Sequence, residues 1–226
     1  MTTLTTRRFP SRSALETALT ERLARAIAAR GPSAIMLAGG HTPLPAYRAL
    51  AARELAHDAA LHILFSDDRY VPSDSPESNY HQSRPLLDAL KLPPEQLLRV
   101  RTELPLEAAA ADYGRRLTAL LAAAVPVGLG LLGLGGDGHT ASLFTSSDIE
   151  RARGRMSVAV QRPDGMAGVS VTPEFLAHVQ EPVFVVAGDG KSEAIGRLIA
   201  RDPQLPAWAA VQRCSAVELW LDQTAE

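Results

Sequence analysis

Among the residues of this chain, His139 has the neighbours best suited to moving a proton. It follows Gly135-Gly136-Asp137-Gly138 at the end of an apolar run, Val127 to Leu134, and precedes Thr140-Ala141-Ser142-Leu143-Phe144. Histidine changes charge near neutral pH, and a nearby carboxylate can fix its tautomer. Asp137 and His139 therefore read as a candidate general base and its supporting acid, just ahead of a short helical turn. The plainer alternative is an exposed or structural histidine in a glycine turn.

Three other segments carry groups that suit an anion. In Gly39-Gly40-His41-Thr42-Pro43 the glycines allow close approach of the backbone, Thr42 can cap a helix and Pro43 suits a first turn. Free N–H groups at such a start favour a phosphate, although the same residues also spell an ordinary capped turn. Asp67-Asp68-Arg69, with Ser78-Asn79 downstream, offers a guanidinium that can clamp a phosphate through two hydrogen bonds. A solvated Asp–Arg pair is the competing reading. Gly188-Asp189-Gly190-Lys191 presents an amine at a helix start, where it serves a phosphate or lies on the surface.

Gly128, Gly130 and Gly133 formally match a dinucleotide fingerprint, but they lie inside an apolar run instead of between a strand and a helix. They read as glycines that permit close packing in a strand, and nicotinamide binding is rejected. The six histidines show no HExxH spacing and Cys214 is the only cysteine, so no metal is implied.

The elements that must hold these groups alternate. Ser13 to Arg30 is predicted as a helix, opened by a capping box at Ser13 and Glu16, with Leu15, Leu19, Leu23 and Ile27 on one face. Strands are expected at Ala34–Ala38, Leu61–Ser66, Leu97–Arg101, Val127–Leu134, Met156–Val160, Val169–Thr172, Val183–Ala187 and Val217–Leu221. Helices are expected from the Gly39 loop to about Ala56, from near Ser78, over Leu106–Ala124 and from Lys191, with Asp67 to Glu77 a polar loop. Such alternation predicts an α/β fold, a largely parallel sheet flanked by helices on both faces, as one domain over residues 1–226. Ligands of such sheets sit beyond the carboxyl ends of the strands, where all four polar segments fall.

With 46% hydrophobic and 21% charged residues, the 226-residue chain has the composition of a packed globular protein. A net charge of −2 argues against a nucleic-acid or anionic-membrane partner. The start lacks the apolar core of a signal peptide and no stretch of 18 apolar residues occurs, so a soluble cytoplasmic protein is expected.

In order and context, GGHTP, DDRYVPSDSPESNYHQSR, LGLGGDGHTASLF and VFVVAGDGKSEAI resemble the 6-phosphogluconolactonase family, from about Ala34 to Leu221. The resemblance implies the fold shared with glucosamine-6-phosphate deaminases and ribose-5-phosphate isomerases. It also implies hydrolysis of 6-phospho-D-glucono-1,5-lactone in the oxidative pentose phosphate pathway, without metal or organic cofactor. Asp137 and His139 become the catalytic pair. Gly39, Gly40, His41, Thr42, Asp67, Arg69, Asn79, Gly138 and Lys191 become the substrate or phosphate contacts. The expected partner is a small phosphorylated lactone, with the chain acting as a monomer or weak homodimer. The chain departs from the family pattern at His41 (usually Ser), Asp68 (Glu), Thr145 (Pro) and Gly168 (Arg). An amino-sugar-phosphate deaminase or isomerase is the nearest alternative activity, although Thr140 to Phe144 follows the lactonase continuation. A non-catalytic sugar-phosphate sensor is the other.

Overall fold

The computed structural model describes residues 2–225. In chain order the elements are β1 (Thr3–Phe9), α1 (Arg12–Ile27), β2 (Ser33–Leu37), α2 (Leu44–Ala51), β3 (Leu61–Phe65), β4 (Asp67–Arg69), α3 (Asn79–Gln82), α4 (Arg84–Leu90), β5 (Leu97–Leu98) and α5 (Leu106–Ala122). They continue as β6 (Val127–Leu132), α6 (Ser146–Arg151), β7 (Ser157–Gln161), β8 (Ala167–Val171), α7 (Pro173–Leu176), β9 (Val179–Val186), α8 (Ser192–Ile199), α9 (Pro206–Val211) and β10 (Ala216–Asp222).

Seven strands form one sheet in the order β1-β10-β9-β6-β2-β3-β5, and every pairing in it is parallel. Its central strands alternate side chains between two cores. Ile35, Leu37, Ile63 and Phe65 pack with Leu15, Leu19, Leu23, Tyr47 and Leu86 from α1, α2 and α4. Ala34, Met36 and Leu64 face the other way, toward α5, α8 and α9. Helices thus cover both faces, as parallel strands buried on both sides require. No helix among the described residues is long and apolar enough to cross a membrane.

Buried tyrosines fix the strand ends that lead into the polar loops. The Tyr47 hydroxyl donates to Ala38 O at 2.9 Å and accepts from Ala38 N. The Tyr113 hydroxyl does the same at Phe65, donating to its carbonyl at 2.6 Å. Each satisfies a buried backbone pair where the strand ladder runs out. Burial pushes both phenols far above their ordinary range, so they stay protonated donors.

Several local expectations are corrected. The cap of α1 is Ser11, which accepts from Ala14 N, while Glu16 pairs with Arg12. The capping box occurs instead at Thr145 and Asp148, opening α6, so the residue standing where the family usually has Pro is a helix cap. The residues between His139 and Thr145 form a Thr140–Leu143 bridge, not a helical turn. Two strands fall outside the predicted set: β1, an edge strand parallel to β10, and β4, inside the expected polar loop. β4 joins β8 and β7 in a second, antiparallel sheet. Gly130 does permit close packing, since a Cβ there would lie 2.7 Å from Val179 and 2.9 Å from Met36, whereas Gly128 and Gly133 face open space.

Candidate active site

The chain leaves β2 toward β3 and β5, then returns across the sheet so that β6 lies on the other side of β2. At this reversal the loops after β2 and β6 diverge and leave a crevice, the usual ligand position in such sheets. A cleft of about 240 Å³ opens there, lined by Gly39, Gly40, His41, Thr42, Asp67, Arg69, Asn79, His139 and Lys191 together with Arg162. Asp137 and Gly138 are not among the lining residues. Asp137 reaches the site through His139, and the Gly138 α-carbon faces Leu205.

The loop after β6 turns tightly: Gly138 N donates to Gly135 O and Gly135 N to His139 O, both at 3.0 Å. This folds the imidazole back over Gly135, where a Cβ would lie 2.1 Å from His139 Nδ1. Only glycine fits at that point. His139 Nδ1 meets Asp137 Oδ1 at 2.5 Å, leaving Nε2 as the ring nitrogen for a ligand. Burial raises the Asp137 carboxyl, but the hydrogen bond and charge of His139 outweigh it and hold the group below the usual carboxylate range. The Phe144 ring lies 4.4 Å from the imidazole, centroid to centroid, and limits its rotation.

On the opposite wall, Gly39 exists for a similar reason: a Cβ would sit 2.0 Å from Asn79 Oδ1. Asn79 Nδ2 donates to Asp67 O, while among the described residues Asn79 Oδ1 and Arg69 Nε are buried with no hydrogen-bond partner. An unmet acceptor and an unmet guanidinium N–H are features that a polyhydroxylated anion can satisfy. Arg69 Nη1 is held by Glu77 O. Asp67 accepts from the Ser66 and Ser142 hydroxyls and is buried beneath the cleft. Lys191 is half-buried, and that burial lowers its ammonium below the ordinary lysine value, with Arg12 adding and Asp222 opposing. Thr42 does not cap α2, whose N-cap is Pro43 with no side-chain cap hydrogen bond, and His41 is exposed at the rim.

Asp68 lies outside the cleft and caps α3. Its carboxylate accepts from Ser78 Oγ and from the N–H groups of Arg69, Asn79 and Tyr80. Burial pushes it up to about 6, with the Asp67 charge adding to the rise and the hydrogen bonds from α3 opposing it. A raised carboxyl binds its proton more tightly in the folded state. Its stabilising contribution is full below about pH 4 and lost as pH rises through about 6. The unfolding free energy of the parent relative to Asp68→Asn should therefore fall by about 2 kcal/mol between about pH 4 and pH 7. Urea unfolding at both pH values measures this, and a difference that grows with pH contradicts it.

Arg162 was not singled out by sequence, because it lies on no strand-to-helix loop of the main sheet. It follows β7 at the start of Arg162-Pro163-Asp164-Gly165-Met166, where Arg162 N donates to Met166 O and Gly165 takes φ +85°. The Pro-Asp-Gly turn between two apolar runs was the available signal.

The family model described as glucosamine-6-phosphate isomerases/6-phosphogluconolactonase matches residues 11–220. A 6-phosphogluconolactonase of Synechocystis is 36% identical over 200 residues, covering 82% of this chain and 80% of that protein. The crystal structure of 6-phosphogluconolactonase from Thermotoga maritima superposes with a TM-score of 0.81 at 26% identity, covering 99% of this chain and 100% of the other. A monomeric glucosamine-6-phosphate deaminase shares the fold, with a TM-score of 0.81 at 17% identity over 98% of each chain. With most of its length matched by that model, the chain belongs to the glucosamine-6-phosphate isomerase/6-phosphogluconolactonase family.

Proposed function

We propose that this enzyme hydrolyses 6-phospho-D-glucono-1,5-lactone to 6-phosphogluconate, a step of the oxidative pentose phosphate pathway, with His139 as general base. The observation that carries the reading is the Asp137–His139 contact at a cleft lined by Arg69, Arg162 and Lys191. With Nδ1–H donating to the Asp137 carboxylate, Nε2 holds the lone pair and takes a proton from water as its oxygen attacks C1. The tetrahedral intermediate collapses with cleavage of the bond from C1 to the ring oxygen. The imidazolium returns its proton to that oxygen, which becomes the C5 hydroxyl. Asp137 supports the transient imidazolium, and its lowered pKa keeps it ionised for that purpose.

Arg69, Lys191 and the Gly39–Thr42 backbone hold the phosphate and so fix C1 relative to the base. The unpartnered Asn79 Oδ1 accepts from a sugar hydroxyl. Parallel coupled assays on freshly generated 6-phosphogluconolactone and on glucosamine-6-phosphate test the reading. Turnover of the lactone with none of the amino sugar is expected, and the reverse result would move the chain to the deaminase branch.

Because His41 is exposed at the rim and the glycines already bring the backbone close, its side chain is secondary. His41→Ser should leave KM within about threefold, under roughly 0.7 kcal/mol. Steady-state kinetics measure this; a rise above about tenfold would put the imidazole itself on the phosphate.

A further inference from the structure

We propose that Arg162 is a phosphate-binding residue, delivered by the β7–β8 hairpin into the space that Gly168 leaves empty. The inference rests on the lactonase reading and names a cation of that site that the sequence motifs do not contain.

Three observations place the guanidinium. Its side chain is only 10% exposed, although it sits at a hairpin end, because it turns inward to line the cleft. It lies over the Phe144 ring, 5.2 Å from guanidinium carbon to centroid. Phe144 is the ring that also packs on His139, so Arg162 borders the same chamber as the base. Arg69 stands opposite Gly168 in the β4–β8 ladder, and the Arg162 stem reaches the same glycine from the β7–β8 turn.

Gly168 leaves the Arg162 stem space that a side chain longer than a methyl group would fill. A Cβ there would lie 3.4 Å from Arg162 Cδ, 3.4 Å from Ser142 Oγ and 3.2 Å from Asp68 O. A longer side chain at 168 and the Arg162 stem would compete for one volume. This chain carries glycine at 168 and an arginine at 162 whose stem passes beside it.

The hydrogen bonds leave two N–H groups of the guanidinium unused. Arg162 Nε and Nη2 donate to the Asp164 carboxylate, and Nη1 donates to Ser142 Oγ at 3.1 Å. Ser142 Oγ in turn donates to Asp67 Oδ2 at 2.7 Å, so its acceptor role toward Arg162 is fixed. Of the five guanidinium N–H groups, one on each terminal nitrogen is then left, a pair suited to two oxygens of one phosphate. Asp164 and Ser142 hold the fork rigid before the ligand arrives, which lowers the ordering cost of binding.

The test is calorimetric binding of 6-phosphogluconate to the parent, Arg162→Ala, Arg162→Lys and the double variant Arg162→Ala/Gly168→Arg, with kinetics on the lactone alongside. Arg162→Ala should weaken 6-phosphogluconate about tenfold or more and raise KM by more than it lowers kcat. Arg162→Lys should recover part of the loss, because a point charge replaces a fork. The double variant should regain part of the affinity, since removal of the Arg162 stem leaves the Asp68 carbonyl, 3.2 Å from a Cβ at 168, as the one tight neighbour of the new arginine. Unchanged 6-phosphogluconate affinity in Arg162→Ala overturns the inference, as does a fall in kcat with KM and affinity intact. A purely structural arginine would lower the melting temperature of Arg162→Ala without altering the affinity of the folded protein. A parent that binds 6-phosphogluconate but does not turn over the lactone would defeat the lactonase reading alone, with Arg162 still decided by the binding series.

Discussion

His139→Asn is expected to lower kcat on freshly generated 6-phosphogluconolactone by about 10²-fold or more, the usual cost of losing an acid–base group. Asparagine can still donate an N–H toward Asp137, so the contact now made at 2.5 Å has a substitute and the loop need not collapse. What it lacks is a nitrogen able to take a proton from water. KM should change little, because the cleft's cations and the Gly39–Thr42 loop are untouched. Rates must be corrected for spontaneous ring opening. A folded His139→Asn protein with near-parental kcat would remove the imidazole from the base role.

Arg69→Ala and Lys191→Ala are each expected to raise KM on the phosphorylated lactone by ten- to a hundredfold, from the roughly 1.5–3 kcal/mol of a charged hydrogen bond. The structure gives each a specific reason. Among the described residues Arg69 Nε is buried and unpartnered, and a phosphate oxygen would supply the acceptor it lacks. Burial leaves the Lys191 ammonium less well solvated and lowers its pKa, and an adjacent phosphate dianion would favour the charged form. Both effects should vanish on unphosphorylated gluconolactone. Equal losses on the two lactones would place these residues at C1 instead of the phosphate.

The strand-to-helix alternation of the main sheet was legible because its strands are apolar runs buried on both faces. So were the loops after β2, β3 and β6, since glycines and charges at a strand end stand out against those runs. β1 was not legible: of Thr3–Phe9 only Phe9 is buried, so the strand exists through its pairing with β10 and carries no apolar pattern. β4 is three residues of acid and arginine, defined by its partner β8. The runs that became β7 and β8 were found as strands, but their departure into a separate antiparallel sheet depends on a hairpin turn. Arg162 was lost with that turn. Helix caps show the same limit: Ser13-x-x-Glu16 and Thr145-x-x-Asp148 offer similar patterns, and only the second closes its two hydrogen bonds.

The central claim is most directly tested by following the δ-lactone signal of freshly generated 6-phosphogluconolactone by NMR, with and without the parent protein. The account predicts that catalytic amounts of protein make the lactone disappear much faster than it opens alone. It also predicts that 6-phosphogluconate appears in equal amount, and that His139→Asn returns the curve close to the spontaneous one. A parent curve that overlays the spontaneous one would contradict the account, whatever the variants do.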